Sequence, residues 1–397
     1  MRAGVSREAD TGSSRGPAGV ARLGLAVAAV GVSTTLPMPL FTRYAERNGE
    51  GAGMLSLAFV CYAATLILTA PLLGSLSERI GRKPCVMAAV ACAGAATLAL
   101  VLAPGLAALA LARALQGLAI GLVAGAATAW AAELAGGPEG ARRAAGVVAL
   151  GTAGSFGVGG LLTLAALELQ DGAEPPASYW LHLLAVVGAL LVVARLPETH
   201  HGDRAAPWLR LPGFPRGTLA TSLAIVPAWG VTGTALTSVP VALAARGMPR
   251  MGPVAVCVMI LAGVAVQQGL RRLAPRRSVL LGLGVLVAGA GLVVVGTLSA
   301  DLVMLLAGGA LTGTAAYGFI YLGGLAAAAQ AAAPAERANA AAGFFLLAHL
   351  GFALPPMATG LAVDRFGAPA ALAGLWIMVA TTAAVLAALI GRGRRAT

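Results

Sequence analysis

Charged side chains are scarce in this sequence: Asp, Glu, Lys and Arg make up only 11% of its 397 residues, and Lys83 is the only lysine. A water-soluble globular protein has about a quarter of its residues charged. Hydrophobic residues reach 58%, and the mean hydropathy is +0.86. The composition therefore excludes an ordinary soluble domain and predicts a chain that is largely covered by lipid.

Acidic residues are scarcer than basic ones, with 15 Asp and Glu against 27 Lys and Arg, so the formal net charge is +12. Such an excess could serve nucleic-acid binding if the basic residues formed one continuous patch. They lie instead in short segments between apolar runs. That distribution is typical of membrane topology, and we expect no nucleic-acid partner.

Residue patterns for metal, ATP or covalent chemistry are also lacking. The four cysteines lie in or beside apolar runs without metal-type spacing, and His200 and His201 have no carboxylate or thiol partners at ligand spacing. No GxxxxGK[ST] phosphate-binding loop occurs, and no nucleophile and base stand in a recognisable catalytic motif. We therefore predict no cofactor and no metal, and we do not expect an enzyme.

Long apolar runs dominate what is present. A helix needs about 20 apolar residues to cross the hydrocarbon core of a membrane. Cutting the runs at charged, Pro-rich or Gly-rich breaks predicts twelve spans, at 20–41, 54–74, 84–103, 106–133, 145–168, 179–196, 217–243, 251–270, 278–298, 302–328, 340–362 and 369–390. The predicted fold class is thus an all-α membrane protein.

The positions of Arg and Lys predict the orientation of these spans. With a cytoplasmic N-terminus, the inner segments hold 21 of the 27 basic residues, and the outer loops hold only Arg43, Arg47, Arg246, Arg250 and Arg365. Basic residues favour the cytoplasmic side. We therefore expect a multi-pass protein of the plasma (inner) membrane with both termini in the cytoplasm, and we expect it to be monomeric.

The longest charged interruption, 195–217, divides the chain into two halves of six spans. The predicted organisation is a disordered tail (1–19), an N-terminal six-helix bundle (20–196), a cytoplasmic linker (197–216), a C-terminal six-helix bundle (217–390) and a second tail (391–397). The segment 268–277 weakly echoes 74–83 at the same place in its half. Internal duplication of this kind is common in secondary transporters.

Polar residues concentrate after the second span in GSLSERIGRK, residues 74–83. Gly74 allows two helix ends to approach, and Gly81 permits a turn that other residues resist. Glu78 at the membrane edge needs a cationic partner or a helix N-terminus, and Arg79 and Arg82 are candidates. A cluster of this type can form in one conformation and break in another, or it can simply anchor the loop in the cytoplasm.

This segment, together with the six-plus-six span arrangement, resembles the major facilitator superfamily. The matching residues are Gly74, Leu76, Arg79, Gly81, Arg82 and Lys83. Glu78 stands where the family usually has Asp. The resemblance implies two pseudo-symmetric six-helix bundles, transport by alternating access, and a gating role for this loop.

RALQG in span 4 resembles a second signature of the family, through Arg113, Gln116 and Gly117. An Arg within an apolar segment costs a few kcal/mol, so it is expected to face the bundle interior or a water-filled cavity. The resemblance implies a role in proton coupling. The alternative is that Arg113 extends to the outer membrane interface.

Span 5 contains GTAGSFGVGG, residues 151–160, whose small residues allow a neighbouring helix to pack closely. It partly resembles the glycine-rich span 5 of proton-driven exporters. Gly159 and Gly160 match the final pair of that pattern, and Gly151 belongs to the same run, but Phe156 replaces its Pro. Export and ordinary helix packing both remain open explanations.

A proton-coupled transporter needs a titratable group, yet no carboxylate lies within the interior of a span. The remaining candidates are Arg113 acting through water, Glu133 at the end of span 4, and His349 in span 11. Glu133 could also pair with an Arg of the inner cluster or be solvated. His349 could be a neutral, hydrogen-bonded core residue.

The family fold implies that spans 1, 4, 7 and 10 face the centre. Their polar and aromatic residues are Ser33, Thr34, Thr35, Arg113, Gln116, Trp229, Thr232, Thr234, Thr312, Thr314, Tyr317 and Tyr321. Without a buried carboxylate, this lining suits a neutral, amphipathic or anionic small molecule better than a cation. The leading hypothesis is an exporter of small organic compounds. Metabolite uptake, uniport and the membrane subunit of an ATP-driven complex are the alternatives.

Overall fold

The computed structural model describes residues 16–73, 75–203, 205, 209 and 211–392, and all regular secondary structure within them is helical. The long helices of the first half are α1 (Pro17–Thr35), α2 (Ala52–Leu73), α3 (Arg82–Leu102), α4 (Leu106–Ala135), α5 (Gly137–Leu169) and α6 (Ala177–Arg195). Each of these helices corresponds to one of the six spans predicted for this half.

The second half contains α7 (Ile225–Leu236), α8 (Met251–Leu270), α9 (Pro275–Ser299) and α10 (Leu302–Gly313). Short helices, Leu219–Leu223 and Ser238–Ala244, flank α7, while α10 continues into a π-helix, Thr314–Ile320, and the helix Tyr321–Ala331. The last helix, Arg337–Arg392, is divided by Gly367, whose φ is 82°. We name its two sides α11 (337–366) and α12 (368–392).

The described residues thus form twelve apolar helices when the two sides of Gly367 are counted separately. Ten helical segments are long and apolar enough to cross a membrane, and α8 contributes a shorter apolar helix. The all-α membrane fold predicted from the sequence is confirmed, and these helices agree with its twelve predicted spans. The predicted loop between spans 11 and 12 is reduced to a single left-handed glycine.

The end of the first helix differs from the prediction. Helix α1 ends at Thr35 instead of residue 41, because Pro37 lacks the backbone N–H that would continue the helix. The chain then forms a 3₁₀ turn, Met38–Leu40, and a short helix, Phe41–Arg47.

The predicted loop at 133–146 is also wrong. Helix α4 extends to Ala135, and α5 begins at Gly137. Only Gly136 and Gly137, with φ of 66° and 67°, interrupt the helical backbone. The alanines and arginines that follow are good helix formers, so the helix starts earlier than the apolar run suggests.

The predicted tails and linker are described only in part. Residues 1–15 and 393–397 lie outside the described residues, while helices cover 17–19 and 391–392, which were assigned to the tails. Positions 204, 206–208 and 210 of the linker also lie outside them. The division into two six-helix bundles stays a prediction.

The contacts divide the chain into two compact units. Of the described residues, unit 1 contains those within 1–36, 68–103 and 111–210, and unit 2 contains those within 37–67, 104–110 and 211–397. Helix α2 therefore begins in unit 2 and ends in unit 1. The buried core of unit 1 joins α1, α3, α4, α5 and α6 and includes the fully buried Trp130. The main core of unit 2 joins α7, α9, the π-helix, α11 and α12, with Phe344 among its largest buried side chains.

Glycine permits the closest helix contact in unit 2. A β-carbon added to Gly313 would lie 1.7 Å from the carbonyl oxygen of Met259 in α8. We expect Gly313→Ala to lower the free energy of unfolding by about 1–3 kcal/mol, because the backbones must move apart. Gly284→Ala in α9 is the matched control, since its β-carbon would meet no atom within 4 Å. Thermal unfolding in detergent tests the pair, and equal midpoints would contradict the prediction.

Candidate functional site

The turn between α2 and α3 carries most of the predicted gating residues. Gly74 lies outside the described residues. A short helix, Leu76–Ile80, follows, and Gly81 then adopts a φ of 101°, a conformation that favours glycine, before α3 begins at Arg82. Leu76 packs against the core of unit 1. The turn is therefore fixed both by packing and by the backbone freedom of Gly81.

Arg82 is the centre of a polar cluster within unit 1. Its Nε and Nη2 donate to Glu133 Oε1 at 3.2 and 3.1 Å, and its Nη1 donates to Ser77 Oγ at 2.8 Å. The Arg82 and Glu133 side chains are only 10% and 30% exposed. Glu133 also accepts a hydrogen bond from the Thr199 hydroxyl. The structure thus joins two predicted site residues in a largely buried ion pair, which is harder to screen than a surface pair.

Glu198, which the sequence analysis did not select, caps the N-terminus of α3. Its carboxylate accepts from the backbone N–H of Arg82 at 3.1 Å and of Lys83 at 2.9 Å. It also accepts from the N–H of Thr199 at 3.0 Å and His200 at 3.1 Å. We call these four bonds the Glu198 cap. The first amides of a helix have no partner within it, and a carboxylate there also interacts favourably with the helix dipole.

The start of the predicted linker packs against this turn. His200 Nε2 lies 2.9 Å from the carbonyl oxygen of Glu78, and the N–H of Asp203 donates to the same oxygen at 2.7 Å. Lys83 Nζ donates to the Leu196 carbonyl at 2.9 Å. A β-carbon on Gly202 would lie 2.3 Å from the Arg79 carbonyl oxygen. His200 is therefore bound to the turn between α2 and α3.

Arg113 of α4 is only 3% exposed, so its side chain does not extend to the surface. Its Nη1 donates to the Thr34 carbonyl at 2.6 Å and to Gln116 Oε1 at 2.8 Å, and Gln116 Nε2 donates to the Ser33 carbonyl at 2.7 Å. Pro37 cannot donate to the Ser33 carbonyl four residues earlier, so the end of α1 offers acceptors to α4. We call Arg113, Gln116, Ser33 and Thr34 the Arg113 group. Gly117 is buried beside it.

The glycines of α5 lie against α1 in unit 1. A β-carbon on Gly151 would lie 3.0 Å from the Gly24 carbonyl oxygen, and one on Gly159 would lie 2.5 Å from Thr35 Oγ1. The Thr35 hydroxyl is buried without a hydrogen-bond partner. Gly160 is buried next in sequence. Close packing of α5 against α1 therefore accounts for the glycine run without reference to export.

Aromatic side chains of α7, the π-helix and α11 come together in unit 2. The Trp229 ring centroid lies 5.5 Å from His349, 5.5 Å from Phe352 and 6.3 Å from Tyr317. His349 Nδ1 lies 2.6 Å from the Phe345 carbonyl oxygen. We call Trp229, Tyr317, His349, Phe345 and Phe352 the aromatic group. The indole N–H of Trp229 is buried without a hydrogen-bond acceptor among the described residues.

The π-helix Thr314–Ile320 was not predicted, yet it sets the position of Tyr317. Such segments often occur at functional sites. Gln267 Nε2 donates to the Tyr317 carbonyl at 3.1 Å, and Ser278 Oγ donates to the Phe319 carbonyl at 2.7 Å. Neighbouring helices therefore hold the irregular backbone in place.

The other predicted cavity residues of unit 2 fall in different surroundings. Thr232 is buried in α7, and its hydroxyl donates to the Ala228 carbonyl at 3.2 Å. Tyr321 contacts Phe344 and Phe345 at centroid distances of 6.0 and 6.1 Å. Thr312 is fully buried against Gly289 of α9, where a β-carbon would lie 2.8 Å from its hydroxyl. Among the described residues, no three His, Cys, Asp or Glu side chains are placed to hold a metal ion.

Comparison with known proteins identifies the family. The sequence pattern of the Major Facilitator Superfamily matches residues 23–345. No curated protein sequence is significantly similar to the chain. Similar solved structures include a mutant of the peptide transporter POT in complex with sulfate, with a TM-score of 0.75 at 15% identity over 98% of both chains.

Two further structures resemble the chain. The nucleoside transporter NupG has a TM-score of 0.67 at 13% identity, over 94% of this chain and 96% of its own. A bacterial homolog of the human lysosomal transporter Spinster, in an inward-facing and occupied conformation, has a TM-score of 0.65 at 14% identity, over 95% and 96%. At these identities the likeness concerns the fold.

Proposed function

Because the chain belongs to the major facilitator superfamily, which makes it a multi-pass membrane transporter, we propose that it exports small organic compounds across the plasma membrane by alternating access. The proposal includes the predicted cytoplasmic termini and coupling to protons. The observation that carries the substrate class is the aromatic group, with its unpaired indole N–H. The partial exporter pattern of α5 supports export as the direction of transport.

The aromatic group favours a substrate with an apolar or aromatic face and a hydrogen-bond acceptor. Ring faces pack against apolar and aromatic surfaces, and the Trp229 N–H needs an acceptor to offset its burial. No acid occurs in the middle of any of the twelve helices, so a cationic substrate would find no buried counter-charge. The preferred substrates are therefore neutral or anionic and amphipathic.

The structure offers His349 and the Arg113 group as candidates for coupling. His349 adjoins Trp229, so a substrate against the indole ring would also contact the imidazole, a side chain that can bind and release a proton. Arg113 holds a fixed positive charge between α1 and α4. Protonation of His349 and binding of a substrate at Trp229 would then influence each other directly.

Counterflow in proteoliposomes tests the proposal across neutral, anionic and cationic amphipathic compounds. We expect Trp229→Ala to raise the half-saturating concentration of the transported compound about tenfold, because a large aromatic contact is lost. Trp180→Ala is the matched control, since this tryptophan of α6 is 54% exposed, and its effect should be small.

The same vesicles test coupling and direction. Substrate movement against its gradient should stop when the pH gradient is dissipated, while counterflow itself should persist. If substrate still moved against its gradient without a pH gradient, coupling to protons would be contradicted. Transport restricted to cations would contradict the proposed substrate class. Active accumulation toward the side of the protein's termini would contradict export.

A further inference from the structure

The start of α2 is bound to α11 within unit 2 by one carboxylate. Asp364 Oδ1 accepts from the backbone N–H of Ala52 at 2.9 Å, and Oδ2 accepts from that of Gly53 at 2.8 Å. We call these two bonds the Asp364 cap. They satisfy two amides that have no partner within α2, and they place a negative charge at the positive end of its helix dipole.

Glycine makes this approach possible. A β-carbon on Gly51 would lie 2.4 Å from Asp364 Oδ1, and one on Gly53 would lie 2.5 Å from Oδ2. A larger residue at either position would push the carboxylate away from the amides. Both sides of the contact are therefore specialised: a short acid on α11 and two glycines at the start of α2.

The contact continues along both helices. Gly360 lies one turn before Asp364, and a β-carbon there would be 2.3 Å from Ser56 Oγ. Farther along, the ring of Phe352 lies 4.9 Å from that of Phe59 and 6.0 Å from that of Tyr62, by ring centroids. Residues 52–62 thus form a close interface with α11, and the Asp364 cap is its polar end.

Helix α2 leaves this interface near a weak point in its own backbone. Its residues belong to unit 2 up to Ile67 and to unit 1 from Leu68. Pro71 within the helix cannot donate to the Ile67 carbonyl, so the helical hydrogen-bond ladder is interrupted there. Prolines of this kind are common sites of helix bending.

We propose that Asp364 is a positioning residue for transport, which holds the start of α2 against α11 while the predicted outer side is closed and releases it when that side opens. The proposal rests on the proposed function, because α2 and α11 belong to opposite predicted bundles, which alternating access must separate at one end. Asp364 lies at an exposed position. Water can therefore replace both hydrogen bonds when the helices part, which keeps the contact reversible.

Pulsed electron–electron distance measurement on the full chain tests this proposal without a substrate. Spin labels are attached through Met54→Cys and Phe366→Cys, two exposed positions near the cap, after the four native cysteines are replaced by alanine. We expect Asp364→Asn to raise the ratio of long to short distances about tenfold, because the amide offers one acceptor and turns a donor toward the second N–H.

Asp301→Asn is the matched control. Asp301 caps its own helix through the N–H of Met304 at 2.9 Å, so this variant should leave the α2–α11 distance unchanged. Gly53→Ala should reproduce the effect of Asp364→Asn without altering charge, and it provides the test if Asp364→Asn does not fold. An unchanged distance distribution in a folded variant of either kind would overturn the proposal. If wild-type counterflow fails with every compound, the proposed function fails while the distance result still decides the role of Asp364.

Discussion

Replacing Arg113 with Lys is expected to lower the transport rate about a hundredfold, which corresponds to about 3 kcal/mol. The guanidinium of Arg113 bonds both the Thr34 carbonyl and Gln116 Oε1 from a buried position. A lysine keeps the charge, but it presents a compact, strongly hydrated ammonium in place of a planar fork. The measurement is the initial rate of counterflow in proteoliposomes, with the amount of folded protein checked by size-exclusion chromatography.

Arg22→Lys is the matched control for this substitution. Arg22 lies on α1, the helix that Arg113 contacts, but it is exposed. Its replacement should leave the rate within about twofold of the wild type, because exposed cations contribute little. Equal rates for Arg113→Lys and Arg22→Lys would contradict a functional role for the Arg113 group.

The Arg113 group should also act as a unit. Because Gln116 bonds both Arg113 and the Ser33 carbonyl, Gln116→Ala removes one of the contacts that Arg113→Lys disturbs. The effects of the two substitutions on stability should therefore fall short of additivity by about 0.5–3 kcal/mol, as for residues in one network.

The sequence predicts the twelve helices because their signal is local. A run of about 20 apolar residues interrupted by charge is sufficient to locate a span. The turn at 74–83 and the Arg113 signature were also recognisable, since each lies within ten residues. The same reasoning makes the predicted first helix too long and the predicted fifth helix too short. Hydrophobicity indicates which residues lie in the membrane, whereas Pro37 and the helix formers before residue 145 decide where the backbone is helical.

The Glu198 cap and the Asp364 cap could not be predicted from local sequence patterns. Glu198 reaches amides at 82 and 83, and Asp364 reaches amides at 52 and 53, so each bond joins distant parts of the chain. Glu198 looked like an ordinary charge of the predicted linker, and Asp364 looked like an ordinary charge at the end of a span. The available signal was a pairing of residue types: a glycine before a helix start, and an acid at the end of another helix on the same predicted side of the membrane.

Three members of the aromatic group, Trp229, Tyr317 and His349, were selected from the sequence, whereas Phe345 and Phe352 and the arrangement of the group were not. Trp229 and Tyr317 were selected because they lie on central spans, and His349 was considered separately as a titratable residue. Their contact depends on the π-helix, which adds backbone between Thr312 and Tyr321 and has no clear local signature. The same irregularity separates Thr312, which packs against α9, from Tyr317, which packs against Trp229.

Replacing Glu198 with Ala is expected to give the largest loss of stability in the turn between α2 and α3, about 3–5 kcal/mol. Its carboxylate accepts from four backbone amides, and each lost bond to a charged acceptor costs about 1 kcal/mol or more. The start of α3 would no longer be fixed, so Arg82 would lose its alignment with Glu133. We expect a lower thermal unfolding midpoint together with faster hydrogen exchange at residues 82–85 and 199–200.

Glu139→Ala is the matched control, because Glu139 pairs with Arg142 and Arg143 on the exposed start of α5 and should contribute less than about 0.5 kcal/mol. Glu198→Gln should fall between the two variants, since one acceptor oxygen remains while the amide nitrogen faces an N–H group. Faster exchange confined to 199–200 would mean that Glu198 orders only its own segment. Faster exchange at 82–85 as well means that the segment after α6 fixes the start of α3, and that the turn between α2 and α3 depends on a residue over a hundred positions away.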